Sequence, residues 1–377
     1  MKLENPFPEY GYFGAEYFCD REQETEELIE ALVNGSNVTL MAPRRIGKTG
    51  LIHHVFERMT AKDRNVRCFY VDIFSTKNFN QMVQFVANAV IGKLDSPSQS
   101  VMRKLNNFVS ALCPTMSQDP LTGMPTFSVS VSSERARETL QQVFEYMKES
   151  GRQCYLALDE FQQVSRYSEI GADALIRSII QFVPNVHVIF SGSQQHLLAE
   201  MFMSPEHPFF NSSQIMTIGV IDVNAYRAFA NGFFARQKRH ISEEAFAHLY
   251  DMVEGQTWYV QKILNRLYRT PKSKLDQEDV FRSIDKILHE QEITYQSNYN
   301  LLTDNQAQLL TAIACDGRVN APTSLNFILR HQLPAPSSIK MALKSLQDKE
   351  FLFYDAKQGY MVYDRFFGMW LRRLAGR

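Results

Sequence analysis

Short apolar runs of strand length recur along the first 220 positions, separated by stretches whose apolar residues follow a helical period. Residues 38–41, 67–74, 154–158, 186–190 and 214–218 read as strands, and the five consecutive apolar residues 154–158 mark one buried on both faces. Ahead of them Leu28, Ile29, Leu32 and Val33 lie on one side of a helix, and between them Leu51, Ile52, Val55 and Phe56, then Met82, Val83, Phe85, Val86, Ala89 and Val90, mark two further helices. A further helix is expected over 134–149. Strand and helix in alternation predict an α/β fold with a parallel five-stranded sheet. Residues 96–133 break the pattern. They are rich in Ser, Thr and Pro, and the alternation at 127–131 suggests a strand or hairpin arm closing an insertion on the sheet.

From residue 222 the pattern is helical, over 223–234, 242–254 and 258–268, with Ser242 as an N-cap followed by Glu243 and Glu244. The break at 255–259 either approaches a bound ligand or is a plain helix–helix turn. A helical connector covers 276–299. Helices over 305–314, 324–330 and 337–349 then precede two short strands, 351–354 and 360–363, joined by a turn. Three helices and a two-stranded wing predict a winged helix-turn-helix. The expected division is therefore a core at 1–220 with the insertion at about 96–133, a helical lid and connector at 221–300, and a winged helix at 301–377.

Composition adds modest constraints. The 377 residues are 45% hydrophobic and 21% charged, as in a globular protein of two or three domains. No run reaches membrane-span length and the first residues lack a signal-peptide pattern, so a cytoplasmic location without membrane contact is expected. The five cysteines are scattered, which suggests neither zinc nor disulfides. The formal charge of -1 makes no global case for nucleic acid. From residue 301 onward, however, ten Lys/Arg face six Asp/Glu, an excess that permits DNA binding through 301–377 without requiring it.

The chemistry centres on the loop after the first strand, Ala42, Pro43, Arg44, Arg45, Ile46, Gly47, Lys48, Thr49, with Gly50 opening the helix. Backbone N–H groups at a helix N-terminus bind phosphate, Gly47 lets the backbone come close, Lys48 reaches β/γ oxygens, and the Thr49 hydroxyl can hold Mg²⁺. Ala42 stands where the pattern opens with Gly, which would strain the loop if that position needs positive φ. Strand 154–158 delivers Asp159 and Glu160 to the carboxyl edge of the sheet, where ligands of open α/β sheets bind. Asp159 would hold Mg²⁺ through water, and Glu160 would activate the attacking water. Ser193, with Ser191 or Gln194 as substitutes, would sense the γ-phosphate or position the water. Tyr12, Phe13 and Phe18 either cover the base and ribose or cap the sheet edge.

With these residues in view, the chain resembles the archaeal-type ATPases of the STAND class. The resemblance rests on residues 18–22, 42–49, 158–162, 191–193 and 360–370 and spans nearly the full length. It implies an additional-strand, catalytic-glutamate P-loop core, a helical lid, a C-terminal winged helix, and ATP with Mg²⁺ hydrolysed slowly as a switch. Two departures stand out. The family's Gly-Arg, which the resemblance would make an arginine contact to the γ-phosphate, is not evident in 208–212, and its lid proline is replaced within 255–258. Beside the switch stand a DNA-associated ATPase and a non-hydrolysing scaffold awaiting a protein partner. Oligomerisation on activation is open, with Arg166, Arg177, Arg236 and Arg239 as either inter-subunit fingers or surface ion-pair residues.

Overall fold

The computed structural model describes residues 3–94, 112–118, 125–169, 171–355 and 358–376. In the first part, α1 (Glu22–Val33), β1 (Val38–Met41), α2 (Lys48–Lys62), β2 (Arg67–Asp72) and α3 (Phe79–Leu94) follow in order. The antiparallel pair β3 (Leu112–Gln118) and β4 (Pro125–Val131) is the hairpin expected from the alternation at 127–131. The rest of the 96–133 insertion, at 96–111 and 119–124, lies outside the described residues. Then come α4 (Ala136–Glu149), β5 (Cys154–Asp159), α5 (Ala172–Ile180), β6 (Val186–Gly192), α6 (Gln195–Met203) and β7 (Gln214–Thr217).

The parallel five-stranded sheet has the order β2-β5-β6-β1-β7, so β6 separates β1 from β5. Successive side chains of a strand alternate between faces, and β5 shows what that demands of a buried strand. Leu156 and Leu158 join α3, α4 and α5 on one side, while Tyr155 and Ala157 join α1 and α2 on the other. Strand β6 runs two residues past the apolar run, because Ser191 and Gly192 pair with Leu40 and Met41. All parallel strands end at one edge, which brings the segments after β1, β5 and β6 together there.

The chain divides into two compact units, Met1–Phe229 with Gln256–Trp258, and Ala230–Gly255 with Tyr259–Arg377. The helix α7 (Val223–Ala235) and the helix α9 (Thr257–Tyr268) each contribute to both. The second unit further contains β8 (His240–Ile241), α8 (Glu243–Met252), β9 (Lys274–Leu275), α10 (Gln277–Glu290) and α11 (Glu292–Asn300). Ser242 caps α8, its hydroxyl accepting from the Ala245 N–H, and Asp276 forms a reciprocal box at the start of α10. The connector is therefore two helices, parted at Gln291.

The C-terminal part folds as a winged helix. It comprises α12 (Asp304–Asp316), α13 (Leu325–His331), α14 (Pro336–Asp348), the antiparallel wing β10 (Leu352–Asp355) and β11 (Gly359–Val362), and α15 (Arg365–Leu374). A bridge between Val319 and Tyr360 gives the wing a third strand position. Within this unit Arg365 pairs with Glu254 at 2.8 Å, and its backbone N–H donates to the Tyr259 hydroxyl at 3.0 Å.

Candidate active site

The loop 42–47 leaves the end of β1 and turns into α2 at Lys48. Its positive-φ positions are Arg45 (68°) and Gly47 (97°), and Ala42 is not among them. The strain that an alanine would meet in a left-handed position therefore does not arise. Ala42 and Ile46 are buried, and Pro43 is exposed.

From the end of β5, Asp159 enters this loop's reach. The Thr49 hydroxyl donates to its Oδ2 at 3.1 Å and Lys48 Nζ lies 3.3 Å from its Oδ1. The Ser191 hydroxyl, at the end of β6, donates to Oδ1 at 2.6 Å, and the Tyr70 hydroxyl from β2 donates to Oδ2 at 2.6 Å. Asp159 is 3% exposed. Burial raises its pKa, but the Lys48 ammonium, followed by the Ser191 and Tyr70 hydrogen bonds, outweighs burial and holds it below the ordinary carboxylate range. Asp72, its register partner on β2, shifts the other way. There burial is the main cause, with the negative charges of Asp159 and Glu160 adding to it against the Phe74 N–H and Lys48.

Glu160 follows with φ of 59°, a left-handed conformation that costs a non-glycine residue about 1–3 kcal/mol and must be held by its surroundings. The holders are identifiable. Lys48 Nζ is 3.5 Å from Glu160 Oε1, the Ser193 hydroxyl donates to Oε2 at 2.8 Å, and the Gln162 amide donates to the same oxygen. The close approach of Gln162 depends on Gly192, where an added Cβ would stand 2.0 Å from the Gln162 Oε1. Arg44 Nε in turn donates to the Ser193 hydroxyl at 3.2 Å.

Sequence reasoning had picked out Lys48, Thr49, Asp159, Glu160 and Ser193, and the fold brings all five together. Both serines are engaged, Ser191 on Asp159 and Ser193 on Glu160, whereas Gln194 accepts from Arg166 at 3.1 Å. Tyr70 and Asp72 carry no signal in the sequence, and Gln162 stands there only as part of the 158–162 motif. Tyr70 sits in an ordinary apolar strand, and only the β2–β5 register places it beside Asp159. Arg21 stands in the sequence only within the 18–22 motif, yet its buried guanidinium donates to the Ile46 and Gly219 carbonyls at 3.2 and 2.6 Å and braces the loop.

Within the break, Thr257 and Trp258 of the first unit bond the loop. Thr257 Oγ1 donates to the Ile46 carbonyl at 2.8 Å, the Trp258 N–H donates to the Arg45 carbonyl at 3.0 Å, and the Arg45 guanidinium stands 4.5 Å from the Trp258 ring centroid. Of the aromatic residues ahead of α1, Phe18 and Tyr12 pack on α2. Phe18 stacks on His54 with centroids 4.5 Å apart and lies 3.3 Å from where a Cβ on Gly50 would be, while the Tyr12 hydroxyl bonds His54 and Glu57. Arg239 is occupied in the second unit. It donates to the carbonyls of Leu267, Tyr268, Thr270 and Lys272, closing the end of α9, so neither the finger role nor a surface ion pair describes it.

A sheet with an extra strand between β1 and β5, a loop opening α2 with Lys48 and Thr49, and an acidic pair at the end of β5 define the class of P-loop nucleoside triphosphatases. The chain belongs to the family described as the ATPase domain predominantly from Archaea, whose model matches residues 18–263. A probable winged helix domain matches residues 293–373. An ATP-binding protein of Methanocaldococcus jannaschii, MJ0147, is 22% identical over 271 residues, 66% of this chain and 70% of that protein. The walker-type ATPase PABY2304 of Pyrococcus abyssi superposes with a TM-score of 0.65 at 17% identity, over 97% of this chain and 99% of that one. The Aeropyrum pernix ORC1 protein, solved in complex with DNA, superposes with a TM-score of 0.54 at 14% identity, over 98% and 95%. Among the described residues no helix is long and apolar enough to cross a membrane.

The donor set suits a magnesium nucleotide. Mg²⁺ takes oxygen ligands, commonly one or two carboxylates with water and substrate phosphates. Thr49 and Asp159 offer a hydroxyl and a buried carboxylate 3.1 Å apart. Among the described residues no group of three or more His, Cys, Asp and Glu is arranged to hold a metal by itself.

Proposed function

We propose that the chain is a Mg²⁺-dependent ATPase of the STAND class that works as a slow nucleotide-driven switch in the cytoplasm. The observation that carries this reading is the meeting of Lys48 with both Asp159 and Glu160 at 3.3 and 3.5 Å, one cation at the start of α2 against two carboxylates at the end of β5 and just past it. In this reading the N–H groups of residues 42–50 and the Lys48 ammonium bind the phosphates, and Thr49 and Asp159 hold Mg²⁺. When bound, the metal would neutralise phosphate charge and orient the γ-phosphoryl group. Glu160, oriented by Ser193 and Gln162, accepts the proton of the attacking water. Domains divide as a core at 1–220, a lid and connector at 221–300 and a winged helix at 301–377, and loss of the γ-phosphate is transmitted through the lid to a protein partner. Assembly on activation is compatible with this.

The test is phosphate release from Mg-ATP by the full chain, Glu160→Gln and Lys48→Ala. Turnover should vanish in both variants while Glu160→Gln retains ATP. Binding of ATP by the wild type with no phosphate release would instead favour a nucleotide-dependent scaffold.

A DNA-associated ATPase is the second reading, supported by α14, which exposes Lys340 and Lys344 one turn apart on one face. Neutralising both should weaken duplex binding and flatten its salt dependence by about two ions. Binding that is absent, or unchanged by the double substitution, removes DNA from consideration at this helix. Arg373 contributes less to that reading, being paired with Asp285.

A further inference from the structure

Two adjacent arginines in the loop have different destinations. The left-handed φ of 68° at Arg45 turns the chain, and its guanidinium stacks on Trp258, 4.5 Å from the ring centroid. Arg44 goes the other way. Its Nε donates to Ser193 Oγ at 3.2 Å and its guanidinium lies 5.4 Å from the Phe74 ring centroid. Ser193 Oγ donates onward to Glu160 Oε2 at 2.8 Å, so guanidinium, hydroxyl and carboxylate form one chain of hydrogen bonds.

The charges on this face explain why a second cation belongs there. Lys48 is shared between Asp159 and Glu160, with Asp72 opposite Asp159 in register. The Lys48 charge is already shared by two carboxylates, so even with Mg²⁺ held at Thr49 and Asp159 a further cation would help offset the charge that a terminal phosphate brings. A guanidinium presents five N–H donors in a planar fork suited to phosphate oxygens, and one of those donors already fixes Arg44 to Ser193. We propose that the Arg44 side chain contacts the γ-phosphate of bound ATP, so that the loop itself distinguishes ATP from ADP. This rests on the reading of the site as an ATPase centre and goes beyond it, because it gives a side chain of the loop the task of telling ATP from ADP. Ser193 then links the presence of the terminal phosphate, through Arg44, to the orientation of Glu160.

The test is calorimetric binding of Mg-ADP and of a Mg-bound non-hydrolysable ATP analogue to the full chain, Arg44→Ala and Arg44→Gln. A charge-assisted hydrogen bond to phosphate corresponds to about 10- to 100-fold in affinity. Arg44→Ala should lose that factor for the analogue and stay within about twofold of wild type for ADP. Arg44→Gln, which keeps a polar side chain without the charge or the full reach of arginine, should do the same and carries the test if the alanine variant does not fold. An equal fall for both nucleotides would assign Arg44 to loop structure, and no fall for either would leave it without a phosphate contact. Either result overturns the proposal. Hydrolysis lost in Glu160→Gln alongside unchanged nucleotide discrimination in the Arg44 variants would retain the ATPase reading and reject this one. Hydrolysis persisting in Glu160→Gln would reject the ATPase assignment of Glu160 irrespective of Arg44.

Discussion

Removing the Lys48 charge should cost the first unit more stability at high pH than at low pH. Lys48 and Asp159 have side chains 7% and 4% exposed, with Nζ 3.3 Å from the carboxylate and 3.5 Å from Glu160. Deleting one partner of a buried ion pair costs about 3–5 kcal/mol, because the other charge is left without compensation. In the wild type the Asp159 pKa is depressed by Lys48 against burial, so Asp159 contributes stability above its unfolded pKa and loses it as pH falls through the folded value. In Lys48→Met burial is opposed only by the Ser191 and Tyr70 hydrogen bonds, so the folded pKa rises from its wild-type position. The penalty is then largest at high pH and shrinks as the carboxyl takes up a proton, by about 1.4 kcal/mol per unit of upward shift. The protein's two tryptophans help, since Trp258 belongs to the first unit and Trp370 to the second. Urea unfolding of a Trp370→Phe background, followed by Trp258 fluorescence without nucleotide at pH 5 and pH 8, isolates the effect. Lys48→Met should lose several kcal/mol at pH 8 and clearly less at pH 5. Equal losses at the two pH values, or a loss below about 1 kcal/mol at pH 8, would refute the idea that Lys48 compensates these carboxylates.

Three further outcomes can be checked directly. Tyr70→Phe removes a 2.6 Å hydrogen bond to Asp159 and should cost about 1.5–3 kcal/mol by denaturant titration near neutral pH, with Ser191, Thr49 and Lys48 still in place. Gly192→Ala would put a methyl 2.0 Å from Gln162 Oε1 and 2.9 Å from Leu198 Cδ1, so phosphate release should slow and the first unit should lose about 1–3 kcal/mol; unchanged turnover would mean that Gln162 does not orient Glu160. The Cys19 thiol is pushed up to about 12, mainly by burial with Asp20 adding to it, so iodoacetamide at pH 8 should label Cys19 far more slowly in the folded protein than in urea, as mass spectrometry of its peptide would show.

The parts of the site readable from the sequence are those where chemistry and local structure fall in one stretch. Gly47-Lys48-Thr49 follows a strand and opens a helix, and Asp159-Glu160 follows five apolar residues, so residue type and position are set together. Other parts needed the sheet order. Tyr70 and Ser191 converge on Asp159 only because β2 and β6 flank β5. The parting of Arg44 from Arg45 depends on one left-handed residue, which carries no marker in the sequence because arginine seldom adopts that conformation. Arg239 looked like a surface cation, and its role in closing α9 follows from tertiary placement that leaves no periodic trace.

The three residues Gln256–Trp258 belong to the first unit although 26 residues of the second, Ala230–Gly255, precede them in the chain. During synthesis the loop at 42–49 is therefore made long before the segment that supplies the Thr257 and Trp258 bonds to its carbonyls. At ordinary elongation rates the gap from Phe229 to Trp258 lasts roughly one to six seconds. Over that interval a nascent chain carries the sheet and its acidic pair without the final brace on the loop. A ribosome stalled before Trp258 emerges would thus display a core unable to complete its nucleotide loop, and a fragment ending at residue 229 would share the same defect permanently.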